Sequence, residues 1–247
     1  MSGVPPERLS RAFVELADTL TGEFDSADLM HRLTEHCVEL LDVDAAGLLL
    51  ADPAEAHPVL RLVASSTERA RVLDLLQLQD EEGPSLECYR TGEIVSTSGS
   101  DEIHRRWPHF AEAAGDLGFA EVHAVPMRLR ERTFGSLNLF RAEPGLTTAE
   151  AHLARALADV TTIGLVQERT LRQREALNEQ LRGALDSRVA IEQAKGVLAE
   201  RLDLDVEEAF AALRRYARSR SLRLNDVARS VVSGSLRLDD LRAGASH

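Results

Sequence analysis

The stretch "EVHAVPMRLRERTFGSLNLFRAEPG", residues 121–145, contains two apolar segments separated by the polar run "RERT". This pattern is typical of two antiparallel strands joined by a turn. An apolar run at residues 45–52, ended by Asp-Pro, and an alternating run at residues 58–66 indicate a second pair of strands. The sequence therefore predicts an antiparallel sheet whose strands pair locally.

Helical patterns surround these strands, which indicates an α+β domain rather than the regular alternation of an α/β fold. Residues 80–98, punctuated by Gly-Pro and Thr-Gly, predict a short helix and then a strand near Ile94–Ser96. Further helices are predicted over residues 7–21, 27–41, 66–76 and 105–117, the last around Trp107.

The strand signals stop at Thr147, and residues 148–202 predict one nearly continuous helix because they contain no proline and few glycines. The middle of this helix, residues 166–185, is polar and carries only loosely spaced apolar side chains. Two interpretations stay open, a solvated connecting helix and a short parallel coiled coil between two chains. The apolar side chains are Val166, Leu171, Leu177, Leu181 and Leu185.

Residues 186–235 predict a small all-α module of three short helices. Asp205 and Glu208 have the spacing of a capping box at the start of the second helix. Apolar residues recur at helical spacing from Val206 and again from Leu224, and Gly234 ends the third helix.

The charge distribution also indicates two domains. The whole chain has a net charge of −12, which by itself argues weakly against a nucleic-acid partner. From Asp186 onward, however, 11 basic and 10 acidic residues nearly balance, so the acidity belongs to the preceding part.

Several kinds of chemistry are not indicated. The sequence contains no phosphate-binding loop, no metal-ligand spacing and no Gly-x-Ser-x-Gly elbow, so we expect no catalytic residue, metal or cofactor. Cys37 and Cys88 are too few for a disulfide framework and are expected to be free thiols, with a redox role of Cys88 as the alternative. Neither a membrane span nor a secretory signal is visible, which predicts a cytoplasmic protein.

Residues 25–165 resemble the GAF domains of actinobacterial regulators. The segments that carry the resemblance are "FVELADTL", "LMHRLTEHCVELLDVDAAGLLLAD", "EEGPSLECYRTGE", "RRWPHFAEAA" and "FGSLNLFRAEPG". The resemblance implies a small antiparallel sheet between helices, with a pocket on one face that senses a small ligand, or a domain that only dimerises. Ser85 stands where many relatives carry a cysteine. Candidate pocket residues are Tyr89, Trp107 and His123.

The segment "SRVAIEQAKGVLAERLDLDVEEAFAALRRYARSRSLRLNDVARSVV", residues 187–232, resembles the ANTAR domain, an RNA-binding antitermination module. The match is specific and includes the Ala194-Lys195-Gly196 triplet and the Glu208-Ala209-Phe210 run. The resemblance implies binding of paired RNA hairpins that overlap a terminator, so that transcription continues when the protein is bound.

The residue pattern is compatible with RNA independently of the family. Arg188 and Lys195, the only lysine, lie nearly two helical turns apart on one edge, and Gly196 beside them leaves room for a nucleic-acid backbone. Basic side chains and one aromatic on the next helix suit phosphate contacts and base stacking. The candidate RNA-binding residues are Arg188, Lys195, Gly196, Arg214, Arg215, Tyr216 and Arg218.

The predicted organisation is an N-terminal helical segment (1–24), a GAF sensor domain (25–165), a connecting helix (166–185), an RNA-binding domain (186–235) and a C-terminal tail (236–247). We expect a homodimer. The alternatives for the tail are a DNA-binding helix-turn-helix and a protein-interaction bundle. The acidic start "DVEEAFAA" of the second helix argues against the first, because recognition helices present base-reading side chains there.

Overall fold

A computed structural model describes residues 5–18, 26–51, 55, 58–98 and 100–236. The predicted hairpin is present and forms the middle of a five-stranded antiparallel sheet in the order β2-β1-β5-β4-β3. The strands are β1 (Ala45–Ala51), β2 (Leu60–Ser65), β3 (Val95–Ser98), β4 (Glu121–Leu129) and β5 (Arg132–Arg141).

The helices in the described ranges divide between two compact units, Met1–Thr170 and Leu171–His247, and α7 contributes residues to both. They are α1 (Pro6–Asp18), α2 (Ser26–Leu40), α3 (Glu68–Asp80), α4 (Pro84–Thr91), α5 (Ser100–Arg106), α6 (Pro108–Asp116), α7 (Thr148–Leu202), α8 (Val206–Ser219) and α9 (Leu224–Val232). None of these helices has the length and apolar character to cross a membrane.

The sheet of the first unit lies between two helical layers, which confirms the predicted α+β class. On one face, α1, α2 and the first turns of α7 share a core that includes Leu16, Leu33 and Leu157. On the other face, α3 to α6 share a second core with the strands, which includes Leu73 and Phe140. The N-terminal helix α1 therefore packs on the first unit.

The single helix predicted over residues 105–117 is wrong. The structure has two helices there, α5 and α6, which meet at Trp107. Pro108 has no N–H to continue the first helix, but its fixed φ suits the first position of a new one. The break turns the Trp107 side chain into the core beneath both helices.

The long helix is confirmed as α7, and its first turn has a capping box that fixes where it begins. The Thr147 hydroxyl accepts a hydrogen bond from the Glu150 amide (3.2 Å), and the Glu150 carboxylate accepts one from the Thr147 amide (2.8 Å). The predicted connecting segment 166–185 lies wholly within this helix.

The second unit packs the last turns of α7 against α8 and α9. Its core includes Ala194, Leu198, Leu213 and Val227. The capping box predicted at Asp205 is present, because its carboxylate accepts from the Glu208 amide (2.7 Å) while the Glu208 carboxylate accepts from the Asp205 amide (3.0 Å). Of the predicted tail 236–247, only residue 236 is among those described.

A buried polar cluster joins α3 to the sheet around Asp74, which has no exposed surface. One carboxyl oxygen of Asp74 accepts hydrogen bonds from Gln77 (3.0 Å) and Asn138 (2.8 Å). The other oxygen has no partner among the described residues and lies against Gly47, where a Cβ atom would approach it within 1.8 Å. Burial raises the pKa of Asp74 to about 8.

The raised pKa of Asp74 makes the first unit less stable as the pH rises. The folded state holds this proton up to about pH 8, whereas the unfolded chain releases it near pH 4. Between these values the folded state binds more protons than the unfolded state, so the free energy of unfolding falls with pH.

We expect Asp74→Asn to remove this pH dependence. Relative to the variant, the wild type should lose up to about 1.4 kcal/mol of unfolding free energy per pH unit between pH 5 and pH 7. Urea denaturation followed by the fluorescence of Trp107, the only tryptophan, measures the first unit. Asp80→Asn, an exposed change on the same helix, is the control. Equal slopes in the wild type and Asp74→Asn would mean that Asp74 is ionised in the folded state.

Candidate nucleic-acid interface

Lys195 lies at the edge of the second unit, where α7 faces α8. Its ammonium group contacts both carboxylate oxygens of Glu192 at 2.9 Å, and its side chain is only 17% exposed. The ammonium group also lies 5.7 Å from the centre of the Phe210 ring. The lone lysine is therefore held between an acid on its own helix and an aromatic ring on the next.

Phe210 connects the predicted basic residues of the two helices. The Arg214 guanidinium lies 5.7 Å from the centre of the same ring, so cations from α7 and α8 both approach Phe210. Each such contact is worth about 0.5–1 kcal/mol at an exposed site. Half-buried Phe210 is not among the side chains that pack on the core of this unit.

An open cavity of about 340 Å³ lies beside Phe210. Arg188, which is exposed, lines this cavity together with Lys195 and Glu192. The structure thus brings Arg188, Lys195 and Arg214 to one region, as a nucleic-acid interface requires. The cavity is lined by Ala184, Ser187, Arg188, Ile191, Glu192, Lys195 and Phe210.

Three other predicted residues lie elsewhere on α8. Arg215 and Arg218 are exposed on its outer surface, and Arg218 is one turn from Arg214. Tyr216 is half-buried against the core on the opposite flank, where its ring faces the Arg220 guanidinium at 5.2 Å. Tyr216 is therefore not brought together with Lys195.

Gly196 is exposed in the interior of α7, and a Cβ atom built on it would meet nothing within 4 Å. Packing within the described chain therefore does not require glycine at this position. Glycine in a helix interior costs about 1 kcal/mol relative to alanine, so its presence is a local loss of stability.

Sequence reasoning missed Phe210 and Glu192 as members of this cluster. The spacing of Phe210 from the other apolar residues of α8 places it on the apolar stripe of that helix. Around the helix axis, however, Phe210 is only about 40° away from Arg214. An aromatic residue four positions before an arginine was the available signal. Glu192 stands three positions before Lys195, the spacing of a helical ion pair.

The structure does not bring the three candidate pocket residues of the first unit together. Trp107 belongs to the core beneath α5 and α6, with the Arg106 guanidinium 4.4 Å from its ring centre. Tyr89 packs on a separate apolar cluster that contains Leu49. His123 is on the opposite face of the sheet, where Ser96 and Glu121 contact its ring at 2.7 and 3.1 Å.

The two cysteines are free and buried. Burial raises the pKa of Cys37 and of Cys88 to about 12, so both thiols are protonated at neutral pH. A protonated, inaccessible thiol is a poor nucleophile, which argues against a redox role for Cys88.

Comparison with known families identifies both units. A GAF domain model matches residues 25–166, and an ANTAR domain model matches residues 179–232. The chain belongs to the GAF domain family. It also carries an ANTAR domain, which contains all the predicted RNA-contacting residues. ANTAR domains belong to RNA-binding antiterminators and GAF domains are sensory, and both are regulatory rather than catalytic.

Solved GAF domains share the fold of the first unit. The GAF domain of a phosphoenolpyruvate-protein phosphotransferase from Acinetobacter is 18% identical, with a TM-score of 0.53 over 69% of this chain and 97% of that one. The GAF domain of the phosphotransferase from Coxiella burnetii is 14% identical, with a TM-score of 0.51 over 68% and 98%. These similarities show the fold alone. No curated protein sequence matches the chain.

No metal centre is formed by the part of the chain that the structure describes, because it holds no suitable group of three or more His, Cys, Asp or Glu side chains.

The ANTAR match begins at residue 179, inside the connecting helix predicted for residues 166–185. The GAF match ends at residue 166, close to the predicted boundary.

We expect Gly196→Ala to stabilise the helix by about 1 kcal/mol, because the new methyl group meets no neighbour. Hydrogen exchange of the surrounding amides in the full chain should slow about fivefold. Gly183→Ala is the matched control, since Gly183 lies in the same helix and is equally open. Slower hydrogen exchange in Gly183→Ala but not in Gly196→Ala would show that the Gly196→Ala change strains the helix.

Proposed function

We propose that this protein is a sensor-regulated transcription antiterminator whose ANTAR domain binds paired RNA hairpins overlapping a terminator. The observation that carries the proposal is the convergence of Lys195 and Arg214 on Phe210, beside Arg188. Cations supply phosphate contacts, and an accessible aromatic side chain supplies a stacking surface for an unpaired base.

The exposed glycine supports the same interface. Gly196 lies next to Lys195 in sequence and leaves a bare stretch of helix surface there. A nucleic-acid backbone can approach such a surface more closely than one covered by side chains. The loss of helix stability at Gly196 then has a functional reason.

The GAF domain would supply the regulatory input, as a sensor of a small ligand or as a dimerisation domain. The regulatory character of both domains supports a function without catalysis. An antiterminator acts on nascent transcripts, so this function requires a cytoplasmic protein.

Dimer formation through α7 would present two RNA-binding domains together. Four leucines between residues 171 and 185 are more than half exposed, and the surrounding helix surface is also exposed. Burying these side chains against a second copy stabilises both helices. Two linked RNA-binding domains gain avidity for two linked hairpins. The leucines are Leu171, Leu177, Leu181 and Leu185.

The first test is binding of an RNA with two stem–loops, drawn by selection on the wild-type protein from a pool with randomised loops. We expect Lys195→Ala to weaken binding about tenfold and to lower the salt slope by about one ion, as the loss of one phosphate contact does. Arg201→Ala removes an exposed charge elsewhere on α7 and is the matched control.

Lys195→Arg should also weaken binding without unfolding the domain, because the wider guanidinium must fit between Glu192 and Phe210. Unchanged affinity in Lys195→Ala would remove this cluster from the interface. Duplex DNA that competes as well as the RNA would favour the helix-turn-helix alternative. Failure of every RNA in the pool would leave the protein-interaction alternative.

The dimer is tested by Leu181→Asp, which places a charge in the exposed leucine row. We expect the dissociation constant of the dimer to rise at least tenfold, since each lost leucine contact is worth about 1.5–3 kcal/mol. Sedimentation of the full chain measures this constant. Gln180→Asp adds the same charge one residue away and should leave it unchanged. A wild-type monomer at all concentrations, with and without RNA, would contradict the paired-domain mechanism.

A further inference from the structure

The cavity beside Phe210 has the features of a site for one flat aromatic group. Its volume of about 340 Å³ falls within the range of small-ligand pockets. Phe210 forms one aromatic wall, and the side chains of Ile191 and Ala184 add apolar surface. The charged groups of its lining are those of Arg188, Lys195 and Glu192.

The chemistry of this site matches a nucleotide in single-stranded RNA. A base in a duplex has both faces covered by its neighbours, so only an unpaired base can stack on a side chain. The phosphates on either side of such a base carry negative charge, which the ammonium of Lys195 and the guanidinium of Arg188 can meet. An apolar peptide would offer these cations no anionic group.

The carboxylate of Glu192 is a feature of this cavity that phosphate binding alone does not explain. A carboxylate beside a phosphate site lowers the affinity by repulsion, yet both oxygens of Glu192 are held at 2.9 Å from the Lys195 ammonium. The carboxylate only accepts hydrogen bonds, so it can pair with the amino group of a base. Adenine, cytosine and guanine carry an exocyclic amino group, whereas uracil presents carbonyl oxygens on both sides of its single N–H.

We propose that this cavity receives one unpaired RNA base, which stacks on Phe210 and donates a hydrogen bond from its amino group to Glu192. Lys195 and Arg188 contact the adjoining phosphates. Glu192 is thus a specificity-determining residue that disfavours uracil at this position. The inference rests on the proposed RNA-binding function and names the contact by which one nucleotide is selected.

The test is a double-mutant cycle between Phe210 and the RNA. The probe is the selected two-stem–loop RNA, in which each loop nucleotide is made abasic in turn. We expect one position at which base removal weakens binding by wild-type protein about tenfold, the typical effect of one stacked base. The same removal should weaken binding by Phe210→Leu less than twofold.

Two control variants separate stacking from folding. Phe210→Tyr keeps the ring and should retain the tenfold effect of base removal, as stacking requires. Tyr216→Leu removes the other aromatic side chain of α8, on the opposite flank, and should retain the full tenfold effect of base removal. Circular dichroism of each full-length variant verifies that the helices are intact.

A second measurement tests the role of Glu192. At the coupled position, a uridine should weaken wild-type binding about tenfold, whereas Glu192→Gln should bind uridine and the original base within about twofold of each other. Glutamine offers both a donor and an acceptor, so it can pair with uracil. Persistent rejection of uridine by Glu192→Gln would overturn the assignment of Glu192.

The outcomes distinguish this inference from the proposed function. If the wild type binds the RNA but no loop position is coupled to Phe210, the base site is wrong and RNA binding stands. Coupling that appears only at paired stem positions also overturns the base site. If the wild type binds no RNA of the pool, the proposed function fails, and the inference fails with it.

Discussion

The central strand β5 is the element on which the first unit depends. It pairs with β1 along one edge and with β4 along the other, and helical layers cover both of its faces. Such a strand satisfies its backbone groups only when both neighbours are in place, so the sheet forms as a whole. Asn138 of this strand also donates to the buried Asp74 carboxyl, which ties helix α3 to the same point.

The elements with local signals were predictable from the sequence. The hairpin at residues 121–145, the capping box at Asp205 and the long helix α7 depend on residues close together in the chain. The break at Trp107 was also signalled locally, because Pro108 follows it, but the helical spacing on both sides concealed the change of helix. The Asp74 cluster could not be predicted, since Asp74 and Asn138 are 64 residues apart and no local pattern pairs them.

The sequence predicted which charged side chains belong to the candidate interface, but it did not predict how they are arranged around Phe210. Helical spacing placed Arg188 and Lys195 on one edge, and the structure agrees. The role of Phe210 depends on how α8 packs against α7, which decides whether an apolar side chain enters the core or remains at its margin. That choice is set by tertiary packing and is not visible in the periodicity of α8 alone.

The position of Lys195 has a chemical consequence. As the only lysine in the chain, it supplies the only ε-amino group, and that group lies at the candidate interface. Lysine acetylation of this protein would therefore neutralise one charge at this surface and leave the arginine side chains unmodified. An amine-directed dye would likewise label a single lysine, the one at the interface, besides the α-amino group of the chain.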